Sequence, residues 1–131
     1  MPPEHRSVLL RHECGDASHY DWMFEDPGTP FGEGKLVTFR VQHPTWEWRG
    51  VAQITLERIA DHRRDYLTYE GPLTGDRGNV SRVDTGTIVA RRWTDADALL
   101  DVRMAHFTGT VRLEKGEEYI YSMTSVAMNQ S

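Results

Sequence analysis

Residues 19–25 read His-Tyr-Asp-Trp-Met-Phe-Glu, and in this stretch polar and aromatic side chains alternate. Successive side chains of a β-strand point to opposite faces of its sheet, so the stretch predicts a strand with two unlike faces. The face that we assign to the core carries Tyr20, Trp22 and Phe24. The opposite face, which is left for water or for chemistry, carries His19, Asp21, Met23 and Glu25. The pattern therefore favours a β-fold in which one face of this strand packs and the other face can hold a site.

Short runs rich in β-branched or aromatic residues continue along the chain, and Gly, Pro, Asp and Asn separate most of them. The runs cover residues 36–41, 51–59, 66–69, 86–91, 99–104, 109–113 and 119–123. Residues 94–100 alone indicate a helical turn, with Thr94 as its N-cap. About eight short strands at this spacing predict an all-β fold with at most one short helix, either an antiparallel sandwich or a closed barrel.

Length and composition are those of one globular domain, because the chain has 131 residues, of which 27% are charged. We predict a single domain over residues 1–131, with flexible ends at 1–6 and 124–131. The net charge of −5 excludes a polybasic coat that binds nucleic acid by bulk charge alone, although residues 58–92 are net basic. The sequence predicts no membrane span and no secretory signal, and the single Cys14 cannot form an internal disulfide. We therefore expect a cytoplasmic protein with no membrane partner.

A candidate metal site follows from the segment that precedes the first alternating strand. His12 ends the apolar run 7–11, and the turn-forming residues 13–18 reverse the chain before His19. If the two segments form a hairpin, His12 and His19 face each other, and Asp21 lies on the same face two residues further on. Two imidazole nitrogens and one carboxylate oxygen suit Mn²⁺, Fe²⁺ or Zn²⁺ and leave coordination positions for a substrate. The alternative interpretation is a surface hairpin with two incidental histidines.

A second cluster of functional side chains lies at residues 61–71, which read Asp-His-Arg-Arg-Asp-Tyr-Leu-Thr-Tyr-Glu-Gly. In an extended segment His62, Arg64 and Tyr66 share one face. An imidazole, a guanidinium and a phenol are groups that bind phosphate through hydrogen bonds and charge neutralisation. The alternative interpretation is a strand with an exposed histidine and a half-buried tyrosine.

A third alternation of aromatic and polar residues occurs at Trp46, Glu47 and Trp48 and indicates where the two indoles lie. In a strand it places both indoles on one face. We predict that these indoles fill or cover the core, which is their commoner role, rather than stack on a ligand.

In their order and separation these elements resemble the 3′-phosphoesterase domain of bacterial DNA ligase D, which also exists as a free-standing small protein. The residues that carry the resemblance are His12, His19-Tyr20-Asp21, Asp61-His62 with Tyr66, Glu70-Gly71 and Gly86-Thr87-Ile88-Val89. The resemblance spans residues 6–123. It implies a single antiparallel β-barrel with a groove, and a Mn²⁺-dependent activity that removes a 3′-phosphate or a terminal ribonucleotide from DNA before ligation. DNA 3′ ends would then be the partner, with a separate ligase or polymerase acting afterwards, and we assume a monomer.

The resemblance also implies roles for individual residues. The metal ligands would be His12, His19 and Asp21. His62 would contact the scissile phosphate, where it stabilises charge or donates a proton, and Tyr66 would support it as a second catalytic residue. Glu25 would be a supporting acidic residue that closes the same strand as Asp21.

The sequence departs from the family pattern at one phosphate-binding position, where Met23 stands in place of an arginine. Methionine keeps the volume of the site but donates no hydrogen bond to a phosphate. The candidate replacements are Arg40, Arg58, Arg64, Arg77 and Arg82, and His43 stands where the family has a lysine. Two further interpretations therefore stay open: a non-catalytic barrel that binds DNA ends or phosphate, and a phosphoesterase with a substrate other than DNA.

Overall fold

A computed structural model describes residues 3–30 and 32–126 of the chain. Strands dominate this part of the chain, as the alternating sequence predicts. Its nine strands are β1 (His5–Cys14), β2 (Ala17–Glu25), β3 (Leu36–Val41), β4 (Gln53–His62), β5 (Gly71–Pro72), β6 (Asn79–Trp93), β7 (Asp97–Met104), β8 (Phe107–Lys115) and β9 (Ile120–Val126). Two short helices accompany them in the same residues: α1 (Thr45–Trp48) and a 3-10 helix (Arg64–Leu67).

Eight of these strands close into a ring of antiparallel pairs. The ring runs in the order β1-β2-β3-β4-β9-β8-β7-β6, and β6 returns to β1. The long strand β6 makes this closure possible, because its first part pairs with β1 and its last part pairs with β7. Strand β5 pairs with β6 outside the ring. The sequence left a sandwich and a barrel open, and the closed ring establishes the single antiparallel barrel.

Apolar side chains fill the interior of the barrel. Trp22 and Phe24 of β2 and Phe39 of β3 lie at its centre, in one cluster with buried residues from all eight ring strands. The one polar group of Trp22 is satisfied, because its Nε1–H donates to the Ser7 hydroxyl over 2.9 Å. The interior is therefore a packed core, and the inward face of β2 is the predicted one.

A second, smaller apolar cluster lies on the outer wall of the barrel. Val8, Leu10, Met23 and Leu36 supply its wall side, and Leu67, with the partly buried Tyr66 and Leu73, covers them. These last three residues belong to the connection between β4 and β6, residues 63–78, which we call the cover segment. The sequence predicted that the outer face of β2 is left for water or for chemistry. In the structure most of this face is buried under the cover segment. Met23 is 1% exposed and Glu25 is 2% exposed.

The predicted strand at residues 66–69 is wrong, because the chain forms the 3-10 helix there. Residues three apart lie on one side of such a helix, whereas in a strand they lie on opposite faces. The helix therefore lets Arg64 bind Glu25 of the wall while Leu67 enters the outer cluster.

The prediction of one strand face for the two indoles is also wrong. Residues 45–48 form helix α1 directly after Pro44, and residues two apart on a helix point in different directions. Trp48 accordingly enters the core and contacts Trp22 at 5.1 Å between ring centroids, while Trp46 stays 49% exposed.

The predicted helical turn at residues 94–100 is replaced by a tight turn into β7. The Thr94 hydroxyl accepts the backbone N–H groups of Ala96 and Asp97 over 3.2 and 3.0 Å, and the strand begins at Asp97. A capping residue is thus present without a helix to cap.

The predicted flexible ends are in part regular structure. His5 and Arg6 belong to β1, and residues 124–126 belong to β9. Residues 1–2 and 127–131 of those ends lie outside the described residues. Neither of the helices within residues 3–30 and 32–126 is long and apolar enough to cross a membrane.

Candidate metal centre and phosphate pocket

The hairpin of β1 and β2 brings the three predicted ligands together. Its strands run up to a two-residue turn at Gly15-Asp16, shorter than the predicted reversal, and Gly15 supplies the positive φ of 60° that such a turn needs. The register pairs His12 with His19, as predicted. Asp21 lies two residues beyond His19 and therefore on the same, outer face of the barrel.

The donor atoms of these residues are close enough to share one cation. His12 Nδ1 lies 3.2 Å from His19 Nε2, and His19 Nε2 lies 3.4 Å from Asp21 Oδ1. All three donors lie within 4.8 Å of one another. Ligands that are each about 2.1 Å from a common ion are separated by about 3.0–3.4 Å at octahedral to tetrahedral angles. The two short distances match that range.

Asp21 provides independent support for a cation. Its side chain is 4% exposed, and its Oδ1 has no hydrogen-bond partner among the described residues. A buried carboxylate oxygen without a donor is costly, so sites of this kind are normally paired or coordinate a metal. The residues that are present therefore fit a divalent cation.

Hydrogen bonding at His12 and burial at His19 both favour metal ligation by these histidines. His12 Nε2–H donates to the carbonyl of Arg77 over 2.6 Å, because a carbonyl only accepts, and this leaves the Nδ1 lone pair for the site. Burial lowers the pKa of His19 below its ordinary value, and Arg40 and His12 lower it further, although Asp21 acts in the opposite direction. A neutral imidazole is the form that binds a metal.

A pocket of about 430 Å³ opens between the barrel wall and the cover segment, beside the ligands. The ring strands contribute His12, Asp21, Met23, Ala60, Asp61, His62 and Val80. The cover segment contributes Arg63, Tyr66, Leu73, Thr74 and Arg77. The pocket thus brings the two predicted catalytic residues to the same cavity as two of the predicted metal ligands, across a large separation in sequence.

His62 is oriented by its surroundings in this pocket. Its Nδ1–H donates to the carbonyl of Ala60 over 2.8 Å, which leaves Nε2 free to accept or transfer a proton. The ring of Tyr66 contacts the imidazole edge-on at 5.5 Å between centroids. Tyr66 therefore packs against the histidine that it was predicted to support.

Two arginines line the pocket, and the sequence predicted one of them. Arg77 lines it while its Nε–H and Nη2–H donate to the carbonyl and hydroxyl of Thr74 over 2.8 and 3.0 Å. Arg63 also lines it, and no hydrogen bond or ion pair engages its side chain in the described part of the chain. Arg63 was not predicted, because an extended segment would place Arg64 rather than Arg63 on the face of His62. The 3-10 helix begins at residue 64 and removes that alternation.

The other predicted phosphate-binding residues lie elsewhere. Arg58 binds Asp61 over 2.8 Å and stacks over Phe39. Arg82 donates to the carbonyl of Leu67 over 3.3 Å and so fixes the end of the 3-10 helix. Arg40 and His43 line a second cleft, of about 680 Å³, on the His19 side of the site.

Glu25 and Arg64 form a structural link rather than part of the pocket lining. Glu25 Oε1 accepts the backbone N–H of Arg6 over 2.6 Å, and its Oε2 accepts the guanidinium of Arg64. Burial acts to raise the pKa of Glu25, but the hydrogen bonds from Arg6 and Arg64 outweigh it and hold that pKa below its usual value. The pair ties the cover segment to the wall and so supports Tyr66 indirectly.

Comparison with known proteins adds no relative. No protein-family model matches the chain, and no curated protein matches it.

Proposed function

We propose that this protein is a divalent-metal-dependent phosphoesterase that processes DNA 3′ ends, with Mn²⁺ as the preferred metal. The observation that carries the proposal is the pocket at the metal centre. It is lined by two arginines, a histidine whose Nδ1–H is already engaged and a phenol. They lie beside a buried carboxylate with one oxygen that makes no hydrogen bond in the described residues. This is the set of groups that phosphoryl transfer uses. The resemblance of the sequence to the ligase D phosphoesterase domain supplies the substrate class.

A cation at His12, His19 and Asp21 supplies Lewis acidity toward a phosphoryl oxygen. Arg63 and Arg77, which enter from the cover segment, neutralise the charge of the bound phosphate. They replace the guanidinium that Met23 lacks on the wall.

His62 performs the proton transfer in this proposal. With Nδ1–H held by the carbonyl of Ala60, Nε2 takes a proton from the attacking group or, once protonated, gives one to the leaving oxygen. Tyr66 restricts the imidazole to one orientation through its edge-on contact. Both residues stand on the cover segment or next to it, so activity depends on that segment being docked.

The test is an end-trimming assay with a 5′-labelled primer on a template, ending in a 3′-phosphate or a single 3′-ribonucleotide. With Mn²⁺ we expect a dephosphorylated or shortened product. Asp21→Asn keeps the shape of the side chain but removes its charge, so we expect kcat/KM to fall by more than about 100-fold. Arg63→Gln with Arg77→Gln should raise KM, because each charge-assisted contact contributes about 1.5–3 kcal/mol.

A matched control is Arg91→Gln, which breaks an exposed ion pair with Asp101 on another part of the barrel. This variant should retain wild-type activity. If Asp21→Asn cleaves the primer as well as the wild type and still requires Mn²⁺, the proposed metal centre is wrong.

Met23 favours a second candidate function, a barrel that binds DNA ends or phosphate without turnover. The wall of the pocket presents a buried methionine where the family has an arginine. Mn²⁺-dependent binding of the 3′-phosphorylated primer with no product from any substrate would establish this candidate.

The net charge of −5 favours a third candidate, a phosphoesterase acting on a small phosphorylated compound. The reason is that proteins that bind the DNA backbone normally present a basic surface to it. Its signature would be cleavage of a generic phosphomonoester that excess duplex DNA does not inhibit. DNA-competed cleavage would exclude it.

A further inference from the structure

The loop between β5 and β6, residues 73–78, approaches the end of β1 unusually closely. The loop closes on itself, because the N–H of Leu73 donates to the carbonyl of Gly78 over 2.7 Å. Gly75, Asp76 and Gly78 have positive φ angles of 70°, 58° and 95°. We call this segment the orienting loop.

Gly78 is the point of closest approach. A Cβ atom there would overlap the Glu13 carbonyl oxygen and would lie 2.9 Å from the Glu13 carbonyl carbon and 3.0 Å from Cys14 Cα. All three are backbone atoms of β1, which is held on both sides by strand pairing and cannot yield as a flexible side chain would. Only glycine therefore allows the orienting loop to lie at this distance from β1.

The close approach has a consequence for the metal centre. It carries the carbonyl of Arg77, the residue before Gly78, to 2.6 Å from Nε2 of His12. The bond fixes both the ring orientation and the position of the proton of His12. Nδ1 then accepts a hydrogen bond from His19 Nε2 over 3.2 Å in the metal-free protein, and a bound cation would take the place of that proton. A ligating histidine whose second nitrogen donates to a backbone carbonyl is a recurrent arrangement in metal sites.

We propose that Gly78 is a positioning residue of the metal centre: it allows the backbone of the orienting loop to hold His12 in its ligating orientation through the Arg77 carbonyl. The inference rests on the proposed metal centre at His12, His19 and Asp21. Arg77 consequently has two separate tasks, one for its carbonyl oxygen at the metal ligand and one for its guanidinium in the phosphate pocket.

The test compares Gly78→Ala with Gly75→Ala. Both glycines lie in the orienting loop with positive φ, but nothing lies within 4 Å of a Cβ atom at Gly75. The control therefore introduces the same kind of backbone strain without the overlap. The first readout is the Nε2–H proton of His12 in the metal-free protein, observed by NMR and assigned by its absence from His12→Gln. The second is Mn²⁺ affinity measured by calorimetry.

We expect the hydrogen-bonded Nε2–H signal in the wild type and in Gly75→Ala, with equal Mn²⁺ affinity. Gly78→Ala should lose the signal and bind Mn²⁺ about 10–100-fold more weakly, the usual effect of removing an outer-shell partner. Arg77→Ala keeps the carbonyl, so it should keep both the signal and the Mn²⁺ affinity. Retained signal and affinity in a folded Gly78→Ala would overturn the proposal, as would loss of both in Arg77→Ala.

Two outcomes separate this inference from the proposed function. If the wild type binds no Mn²⁺, the metal centre is wrong and the positioning role falls with it. If Mn²⁺ binds but no DNA end is trimmed, the proposed function is wrong. The NMR signal and the Mn²⁺ affinity then still decide the role of Gly78. Should Gly78→Ala fail to fold, the wild-type spectrum decides, because an absent Nε2–H signal contradicts the proposed bond.

Discussion

The two faces of β2 differ in what holds them. On the inner face, Trp22 and Phe24 are fully buried among side chains from the whole ring, and the indole N–H is hydrogen bonded. On the outer face, Asp21 is almost as buried but has an oxygen without a hydrogen-bond partner in the described residues. One face of β2 therefore stabilises the barrel, whereas the other face carries a buried carboxylate oxygen without a hydrogen bond in the described residues. Such groups are expected at functional sites.

The covers over the two faces also differ. The inner face is enclosed by eight strands that pair in a closed antiparallel ring. The outer face is enclosed by the cover segment. That segment is held by a small apolar cluster, the short β5–β6 pairing and three polar contacts: Glu25–Arg64, Arg82 with Leu67, and His12 with the Arg77 carbonyl. Few contacts mean a lower local opening free energy, so we expect the cover segment to open before the barrel unfolds.

The largest expected effect is on the inner face. Trp22→Ala should lower the free energy of unfolding by about 3–5 kcal/mol, because it removes the central indole and leaves a cavity. Urea denaturation followed by far-UV circular dichroism measures this loss. Asp21→Asn, one residue away on the other face, is the matched control and should unfold close to the wild type. Similar losses in both variants would show that the faces do not divide stability and chemistry in this way.

A smaller effect is expected where the cover segment is tied to the wall. Glu25→Gln should cost about 2 kcal/mol at neutral pH, because hydrogen bonds to charged groups contribute about 1.5–3 kcal/mol. The effect should depend on pH. The pKa of Glu25 in the folded protein lies below its ordinary value of 4.5, so its contribution is complete above that pH and is lost as the pH falls through the lowered pKa.

Stability curves of the wild type and Glu25→Gln should therefore converge as the pH falls below 4.5. Thermal unfolding across a pH series measures the difference. A constant gap down to acid pH would mean that the Glu25 carboxylate contributes through its shape and not through its charge. Hydrogen exchange at Tyr66 and Leu67 should also accelerate in this variant, because the 3-10 helix loses its link to the wall.

The smallest effect is expected at the exposed indole of helix α1. Trp46→Ala should change the unfolding free energy by no more than about 0.5 kcal/mol, as is usual for surface substitutions. Trp48→Ala is the control two residues away and should cost about 3–5 kcal/mol. Chemical denaturation of both variants measures the difference. Equal costs would contradict the assignment of one indole to the surface and the other to the core.

The local pattern was sufficient to predict strands β2 and β3 and the hairpin that carries the proposed metal ligands. Alternation in residues 19–25 identified both faces of β2, and a hairpin of ordinary geometry places His12 opposite His19. The run at residues 36–41 is β3 without change. These predictions succeed because period-two patterning and short turns are properties of neighbouring residues.

Contacts between distant residues explain what local pattern could not predict. In the 3-10 helix that begins at Arg64, that guanidinium binds Glu25 of another strand, and Arg63 rather than Arg64 lines the pocket. The outer cluster around Met23 requires the cover segment, which is far from β2 in the chain. The alternation at Trp46 and Trp48 looks like that of a strand in the sequence. The structure shows instead that a helix begins directly after Pro44. Each case is a tertiary contact that overrides a local preference.

Closure of the ring by β1 and β6 has a consequence for the order of folding. The β1–β2 hairpin is local and should form within about 1–10 μs, as hairpins generally do. The bond from His12 to the Arg77 carbonyl joins residues 65 positions apart in the chain, so it forms only when β6 reaches β1, and contacts between remote parts of a chain form slowly. During synthesis and refolding the three proposed metal ligands are therefore assembled before the pocket that orients them. A cation that binds before the barrel closes would be held only by the isolated hairpin. The rate at which this cation exchanges with solvent should fall sharply when the barrel closes.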